Sequence, residues 1–134
     1  MEGYIRRALI FIMLGDPTRA IADSSKAMLD EPVRALTVRG NAFRAKGDLG
    51  HAIDDYTAAI GFESNYALIY HERGVAYRMK GDRAHAIDDF KMAVHLLPKD
   101  SSASVAELKE LAIDMSNYDP MRLPKANDLI NSLK

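Results

Sequence analysis

Histidines followed by paired aspartates are the side chains in this sequence that most resemble a reactive site. Two sets share one histidine with aspartates three and four residues later, namely His51, Asp54 and Asp55, and His85, Asp88 and Asp89. Imidazole and carboxylate groups can bind a metal ion or transfer protons. They must converge in surroundings shielded from water before their pKa values are tuned for such work. Because the two sets occupy equivalent positions of an internal repeat, we expect solvated side chains on separate helices instead.

Other motifs that could support catalysis are incomplete. His71-Glu72 begins like the helical zinc motif of metalloproteases, but Val75 stands where the second histidine is required. The turn at Gly15-Asp16-Pro17 is not part of a glycine-rich phosphate loop with a lysine. The chain has no cysteine, which excludes disulfides and thiolate metal sites. We therefore predict no catalytic residue, no metal and no cofactor, and we do not expect an enzyme.

The composition is that of a globular protein whose partner is not a nucleic acid. The 134 residues fit one cooperative unit, and 48% of them are apolar and 28% charged. The 18 basic and 19 acidic side chains give a net charge of -1, without the basic excess of nucleic-acid-binding proteins. The longest apolar run, Ala8 to Leu14, is too short to span a bilayer. A cytoplasmic protein without a membrane span is the expectation.

The sequence contains an internal repeat, because the segment 39–59 recurs at 73–93. The residues that recur unchanged and without a gap are Arg39, Gly40, Ala42, Arg44, Lys46, Gly47, Asp48, His51, Ala52, Ile53, Asp54, Asp55 and Ala59. A weaker copy lies upstream, where Gly15-Asp16 and Ala20-Ile21 precede their equivalents in a repeat that is shorter by two residues. The missing residues fall between repeats and predict a tighter turn near Pro32. A period of about 34 residues is typical of a helical repeat array.

Each repeat is predicted to form two helices joined by a short turn. Leu36, Gly40 and Phe43 recur at steps of three and four residues, which places them on one face of a helix. Gly47 suits a left-handed residue at the end of this helix, and Asp48 suits the N-cap of the next. The sequence therefore predicts a helical hairpin in each repeat.

Small residues and aromatic rings share the packing faces of these helices. Glycine or alanine occupies Ala8, Gly40, Gly74, Ala20, Ala52 and Ala86, and rings occupy Phe11, Phe43, Tyr77, Tyr56 and Phe90. Glycine within a helix costs about 1 kcal/mol relative to alanine, so its recurrence requires a packing reason. We expect that the small residues allow close approach of two helices, and that Gly40→Leu costs about 1–3 kcal/mol by overpacking.

The repeat resembles the tetratricopeptide repeat family, whose unit of about 34 residues has small and aromatic residues at set positions of two helices. The matching residues are Leu36, Gly40, Phe43, Gly47, Ala52, Tyr56 and Ala59, then Tyr70, Gly74, Tyr77, Gly81, Ala86, Phe90, Ala93 and Pro98, and more weakly Tyr4, Ala8, Phe11, Gly15, Ala20, Ala27 and Pro32. Arg39 and Arg73 stand where leucine is usual, while Ser24 and Ser64 replace an aromatic residue and a proline.

The resemblance implies an all-α fold, an α–α superhelix (solenoid) of three helical hairpins. The hairpins are expected at about residues 1–32, 33–66 and 67–100. Residues 101–134 are expected to form a C-terminal capping helix, at about 102–116, and a short tail helix. A cap is needed because the last repeat of an array otherwise exposes its stacking surface.

Stacked helix pairs form an extended concave surface, and the family resemblance implies that a peptide binds there. First-helix residues outside the packing stripe are expected to line it: Ile5, Leu9, Ile12, Met13, Arg34, Thr37, Val38, Asn41, Arg44, Leu68, His71, Glu72, Val75, Arg78 and Met79. The leading prediction is a protein-interaction scaffold or adaptor. Its ligand should place apolar groups over Ile5, Leu9 and Met13 and acidic or carbonyl groups toward Arg44 and Arg78.

Other interpretations remain beside this one. Helix 3–14 is nearly apolar all round, and such helices tend to be buried. Alternatively, therefore, Ile5, Leu9 and Ile12 stack against an upstream repeat or a second subunit, and in the latter case the chain is a self-associating subunit or homodimer. A metal-dependent enzyme using the histidine and aspartate sets is the alternative of another class. Some family members hold the C-terminal carboxylate of heat-shock chaperones with a lysine and asparagines. Here Asn41 matches, but Thr37 and Glu72 stand at the other positions, so we do not expect that clamp.

Overall fold

The computed structural model describes residues 2–96, and in this range the chain consists of six α-helices with no strand. The helices are α1 (Glu2–Met13), α2 (Pro17–Lys26), α3 (Pro32–Lys46), α4 (Leu49–Phe62), α5 (Ala67–Lys80) and α6 (Arg83–Leu96). The all-α helical repeat fold is therefore confirmed. The predicted capping and tail helices lie outside the described residues.

The chain forms two compact units, Met1–Asn65 and Tyr66–Lys134. In the first unit α1 packs against α2, α3 packs against α4, and α3 also contacts both helices of the preceding hairpin. In the second unit the described part is the hairpin of α5 and α6, which pack against each other. The helices thus pair as the repeats predict.

The turn within each hairpin follows the predicted chemistry. Gly47 and Gly81 have φ values of 87° and 88°, a left-handed conformation that glycine adopts without a steric penalty. The next residue caps the following helix: Asp48 Oδ1 accepts a hydrogen bond from His51 N at 3.2 Å. In the first hairpin Asp16 caps α2 by accepting from the backbone N–H of Arg19. Glycine and aspartate together stop one helix and start the next.

Two of the glycines within helices, Gly40 and Gly74, are sites of close helix–helix contact. A Cβ atom added to Gly40 would lie 2.7 Å from Tyr56 Cε1, and one added to Gly74 would lie 2.9 Å from Phe90 Cε1. Both rings are fully buried. These distances are too short for any side chain to be accepted without movement, because protein interiors are close-packed. The packing reason expected for these glycines is therefore confirmed.

The two residues missing from the first repeat shorten a helix rather than a turn. We expected a tighter turn near Pro32, but the connection 27–31 is not shorter than the connection 63–66. Instead α2 has 10 residues where α4 has 14. Ser24 Oγ and Ser25 Oγ donate to main-chain carbonyls four residues earlier, at 2.7 and 2.8 Å, and such bonds compete with regular helix geometry. The expectation of a tighter turn was wrong.

The core of the first unit is built mainly from alanines. Its buried members are Ile5, Ala8, Ala20, Ala27, Ala35, Val38 and Ala42, with Tyr4, Phe11, Ile12, Ile21 and Met28 packed against them. Ala35, Val38 and Ala42 belong to α3, while the other residues belong to the first hairpin and the turn after it. This cluster is therefore the interface between consecutive hairpins.

Candidate peptide-binding surface

In each hairpin an arginine on the first helix forms a salt bridge with an aspartate on the second. The pairs are Arg7 with Asp23, Arg39 with Asp55, and Arg73 with Asp89, each joined by two hydrogen bonds of 2.7–2.9 Å. Two parallel bonds between a guanidinium and a carboxylate are a strong and directional arrangement. This pairing explains why arginine stands where the family usually has leucine.

The expectation that the paired aspartates are solvated was half wrong. Asp54 and Asp88 are exposed, but Asp55 and Asp89 are only 6% and 5% exposed, because their carboxylates are held by Arg39 and Arg73. A buried carboxylate is tolerated when its hydrogen bonds are satisfied in this way. The inner aspartate of each pair therefore has an arginine of the same hairpin as its partner.

Aromatic rings lie beside the guanidinium groups of these pairs. The Arg73 guanidinium carbon is 5.6 Å from the centre of the Tyr70 ring and 5.9 Å from that of Tyr77. Arg7 lies 5.5 Å from the centre of the Tyr4 ring. In the first hairpin the hydrogen bonds from Arg7 hold the pKa of Asp23 below its ordinary value.

Arg39 also connects two hairpins. Its Nη1 donates a hydrogen bond of 3.2 Å to Ser25 Oγ on α2, while its other nitrogens bind Asp55 on α4. One side chain on α3 therefore contacts both flanking second helices of the first unit.

His51 and His85 take part in the turns within their hairpins. The Nδ1 atom of His51 lies 2.7 Å from Asp48 Oδ2, and its ring stacks on Phe43 with centroids 5.1 Å apart. His85 repeats this arrangement with Asp82 and Tyr77. The pKa of Asp48 is lowered chiefly by the hydrogen bond from the backbone N–H of His51. No group of three metal-ligating side chains is found among residues 2–96.

The residues expected to line a groove differ in exposure on α1. Leu9 is 39% exposed and Met13 is 85% exposed, so both offer apolar surface. Ile12 is partly buried against the core. Ile5 is completely buried within it. The exposed part of the predicted α1 surface is therefore its C-terminal half.

The predicted residues on α3 form a mainly polar surface. Arg34 is exposed and lies 3.3 Å from Glu31 Oε1. Thr37, Asn41 and Arg44 are partly buried. Asn41 Oδ1 accepts a hydrogen bond from the hydroxyl of Tyr56, which fixes the amide beside the packing contact. The remaining predicted residue of this helix, Val38, is a core residue; its burial follows from the contact of α3 with the first hairpin.

On α5 the structure divides the predicted residues into two groups. Leu68 and Met79 are each 50% exposed, and Arg78 is intermediate. The other three, His71, Glu72 and Val75, are buried. His71 Nδ1 lies 3.6 Å from Glu72 Oε1, and the His71 ring tilts against Phe90 with centroids 5.7 Å apart. Glu72 occupies the position equivalent to Val38, so the repeat period indicates its burial.

Sequence reasoning missed two exposed apolar residues on α1. Ile10 and Leu14 are 53% and 73% exposed, on a side of the helix away from Ile5 and Ala8. The apolar character of the helix on all sides is the signal that points to them.

The comparisons with known proteins agree with this geometry. The family model of the TPR repeat matches residues 40–81, from the middle of α3 to the end of α5. The resemblance to the tetratricopeptide repeat family is therefore confirmed for this segment. Among curated proteins, no sequence matches this chain.

Solved structures of tetratricopeptide domains share the fold. The first TPR domain of the human RPAP3 protein superposes with a TM-score of 0.68 at 18% identity, covering 87% of this chain and 94% of that one. The first TPR of Spaghetti (RPAP3), bound to HSP90 peptide SRMEEVD, gives a TM-score of 0.66 at 19% identity, with 80% and 88% covered.

The second TPR domain of human RPAP3, in complex with HSP70 peptide SGPTIEEVD, gives a TM-score of 0.66 at 23% identity, with 79% and 92% covered. At these identities the likeness concerns the fold. Among residues 2–96, no helix has the length and apolar character required to cross a membrane.

Proposed function

We propose that this chain is a protein-interaction module that binds a peptide or protein segment on the first helices of its repeats, without catalysis. The observation that carries the proposal is the exposed apolar surface of Leu9 and Met13 on α1, beside a helix whose equivalent surface is polar. Leu9 and Asn41 occupy equivalent positions of the first two repeats. Exposed apolar residues next to polar ones are typical of an interaction surface.

The binding surface we propose in the first unit is smaller than the one expected from sequence. It consists of Leu9, Met13, Arg34, Asn41 and Arg44, and we call it the α1–α3 surface. Ile5 and Val38 are left out because their side chains are buried in the core. In the second unit the exposed Leu68 and Met79 and the half-buried Arg78 offer a similar mixture of apolar and basic groups.

The chemistry of this surface favours a ligand with apolar and acidic groups. A methionine adapts its unbranched side chain to varied apolar ligands. Arginine binds carboxylates and main-chain carbonyls with several donors. The balanced charge of the chain supports a protein partner rather than a nucleic acid. A cytoplasmic location remains part of this proposal.

Two structural neighbours carry chaperone peptides, but we propose a different mode of recognition here. Thr37 and Glu72 stand where the resemblance would require a lysine and an asparagine. Glu72 is moreover buried close to His71, so it offers no donor to a terminal carboxylate. We therefore expect the peptide SRMEEVD to bind weakly or not at all.

A peptide array probed with the full chain tests the proposed function. Peptides that bind are measured again by calorimetry with Met13→Asp and with the matched control Leu29→Asp, since Leu29 is 97% exposed in the turn after α2. We expect Met13→Asp to weaken apolar peptides about tenfold, which corresponds to about 1.4 kcal/mol, and the control to leave binding unchanged. Equal affinities for both variants would contradict the assignment of the α1–α3 surface.

Self-association through helix 3–14 is the second candidate function. It is favoured by Ile10 and Leu14, whose exposed side chains lie outside the α1–α3 surface. A large exposed apolar patch on one helix is more often an interface than free surface. Ile10 and Met13 are neighbours on α1 because they are three residues apart, whereas Arg34, Asn41 and Arg44 of the α1–α3 surface lie on α3.

A further inference from the structure

Three positions of one first helix, α3, form its contact with the preceding hairpin. In α3 they are Ala35, Val38 and Ala42, all buried in the core shared with the first hairpin. In α5 the equivalent positions of the next repeat are Ile69, Glu72 and Ala76, and all three are buried as well. The repeat therefore reserves these positions for packing.

In α1 the equivalent positions are exposed. They are Gly3, Arg6 and Ile10, which align with Ala35, Val38 and Ala42 respectively. Leu14, four residues after Ile10, is exposed on the same side. Spacings of three and four residues place them on one face. We call Gly3, Arg6, Ile10 and Leu14 the stacking face. It is a copy of the hairpin interface that no other described helix covers.

The side chains of the stacking face do not suit another hairpin in the same geometry. Ala42 is completely buried against the first hairpin, which shows how little space this contact between hairpins leaves at its position. Ile10 is much larger, and placing it in such a site would overpack the contact. The occupant must instead receive a protruding isoleucine and leucine, as one helix does when it packs side by side with another.

We propose that a second copy of this chain covers the stacking face, with α1 of one copy antiparallel to α1 of the other and the twofold axis near Ile10. This dimer rests on the second candidate function proposed above, self-association through helix 3–14, and gives it a geometry. A twofold contact uses the same patch on both copies and closes, so it yields a dimer rather than a filament. Each Ile10 then packs near the other, with Leu14 and the stem of Arg6 at the edges.

Charge complementarity supports the antiparallel direction. In that arrangement Arg6 of one copy lies level with Leu14 of the other, where α1 ends. The last turn of α1 contains no basic residue, and a helix C-terminus attracts a cation. A parallel pair would place the two Arg6 side chains beside each other instead.

A single engineered cysteine tests this arrangement, since the chain has none of its own. Ile10→Cys in the full chain should form a disulfide-linked dimer under mild oxidation, at least roughly tenfold faster than Leu29→Cys at the same concentration. A disulfide requires Cβ atoms about 3.8 Å apart, which only a twofold contact at residue 10 provides. Met13→Cys, on the α1–α3 surface, is a second control and should cross-link slowly. Equal rates for the three variants would overturn the proposal.

Sedimentation at several concentrations supplies a test without cross-linking. We expect the unaltered chain to be a dimer that dissociates on dilution, and Ile10→Asp to weaken it roughly a hundredfold because an unpaired charge would be buried. Arg6→Glu should weaken it less. Circular dichroism checks that each variant keeps its helices. A monomer at all concentrations, or a dimer unaffected by Ile10→Asp, would refute this interface.

A variant on α3 separates this interface from the proposed peptide binding. Arg34→Ala should lose peptide affinity and remain a dimer, because Arg34 is exposed on α3, while Ile10→Asp should become a monomer and still bind peptides. A monomeric parent chain whose peptide binding is lost with Ile10→Asp would show that the stacking face receives a different partner. That result would refute the dimer but would leave an interaction role for α1.

Discussion

The first and second hairpins perform the same packing with different residues. In the second, Gly40 lies against the fully buried ring of Tyr56 on the following helix. In the first, the equivalent residues are Ala8 and Ser24, both completely buried. The third hairpin has Gly74 and Phe90. Glycine therefore accompanies an aromatic ring, and alanine accompanies a small residue, which indicates that this pair of positions is selected jointly.

Replacing the Tyr56 ring should have the largest effect on stability, and a larger one than replacing Ser24 at the equivalent position of the first hairpin. Tyr56→Ala should destabilise the fold by about 3–5 kcal/mol, the range for deleting a buried aromatic side chain. Ser24→Ala should cost about 1 kcal/mol or less, since it removes one hydrogen bond and little volume. Urea denaturation followed by circular dichroism measures both. Similar losses of unfolding free energy at the two positions would show that the Tyr56 ring stabilises its hairpin no more than Ser24 stabilises the first.

Converting the second hairpin into the residues of the first tests the joint selection. Gly40→Ala should cost about 1–3 kcal/mol, because the new Cβ meets the ring of Tyr56. With Tyr56→Ser already present, the same change should cost nothing or stabilise by up to about 1 kcal/mol, as alanine favours the helix. A double-mutant cycle of unfolding free energies measures the coupling. Additive effects would mean that the two positions are independent.

The arginine–aspartate pairs of the first and third hairpins differ in the exposure of the arginine side chain. Side-chain exposure of the arginine falls from 54% at Arg7 to 17% at Arg73. Asp89→Ala should therefore cost about 2–3 kcal/mol, since it leaves a half-buried guanidinium without its carboxylate. Asp23→Ala should cost distinctly less, because water replaces the lost partner. Thermal denaturation compares the two variants, and a larger effect at Asp23 would contradict this ranking.

The pH dependence of stability should be the smallest effect. The pKa of Asp48 is lowered in the folded chain, so its capping bond stabilises fully above the ordinary aspartate pKa of about 4. That stability is lost as the pH falls through the lower folded pKa. Asp48→Ser keeps a capping oxygen without a titrating group. Its urea midpoint should fall less than that of the parent chain between about pH 5 and pH 2, and parallel curves would argue against the cap.

Local patterns in the sequence predict much of this fold. The left-handed glycine and the capping aspartate at Gly47 and Asp48 depend only on neighbouring residues, so their sequence signal is direct. Burial of Asp55 was missed because it depends on Arg39, which lies on the preceding helix, and a single helix gives no indication of that pair. Arginine at a position where leucine is usual was the visible signal.

The candidate surface was predicted less well than the hairpins. One face of each first helix was assigned from its spacing within the helix alone. Ile5, Val38 and Val75 were included, although they are buried in the structure. Val38 is buried because α3 contacts a second hairpin, and this contact becomes visible only when equivalent positions of all repeats are compared. Comparison across repeats is thus a better guide to exposure than periodicity within one helix.

The bond from Arg39 to Ser25 has a consequence for how the first unit unfolds. The same guanidinium holds Asp55 in the second hairpin, so separating the hairpins would leave its bond to Ser25 unmade. Repeat arrays can fray one repeat at a time, and bonds across a boundary oppose such fraying. Backbone amides of α2 and α3 should therefore exchange with solvent deuterium at matched rates, and Ser25→Ala should allow α2 to exchange first.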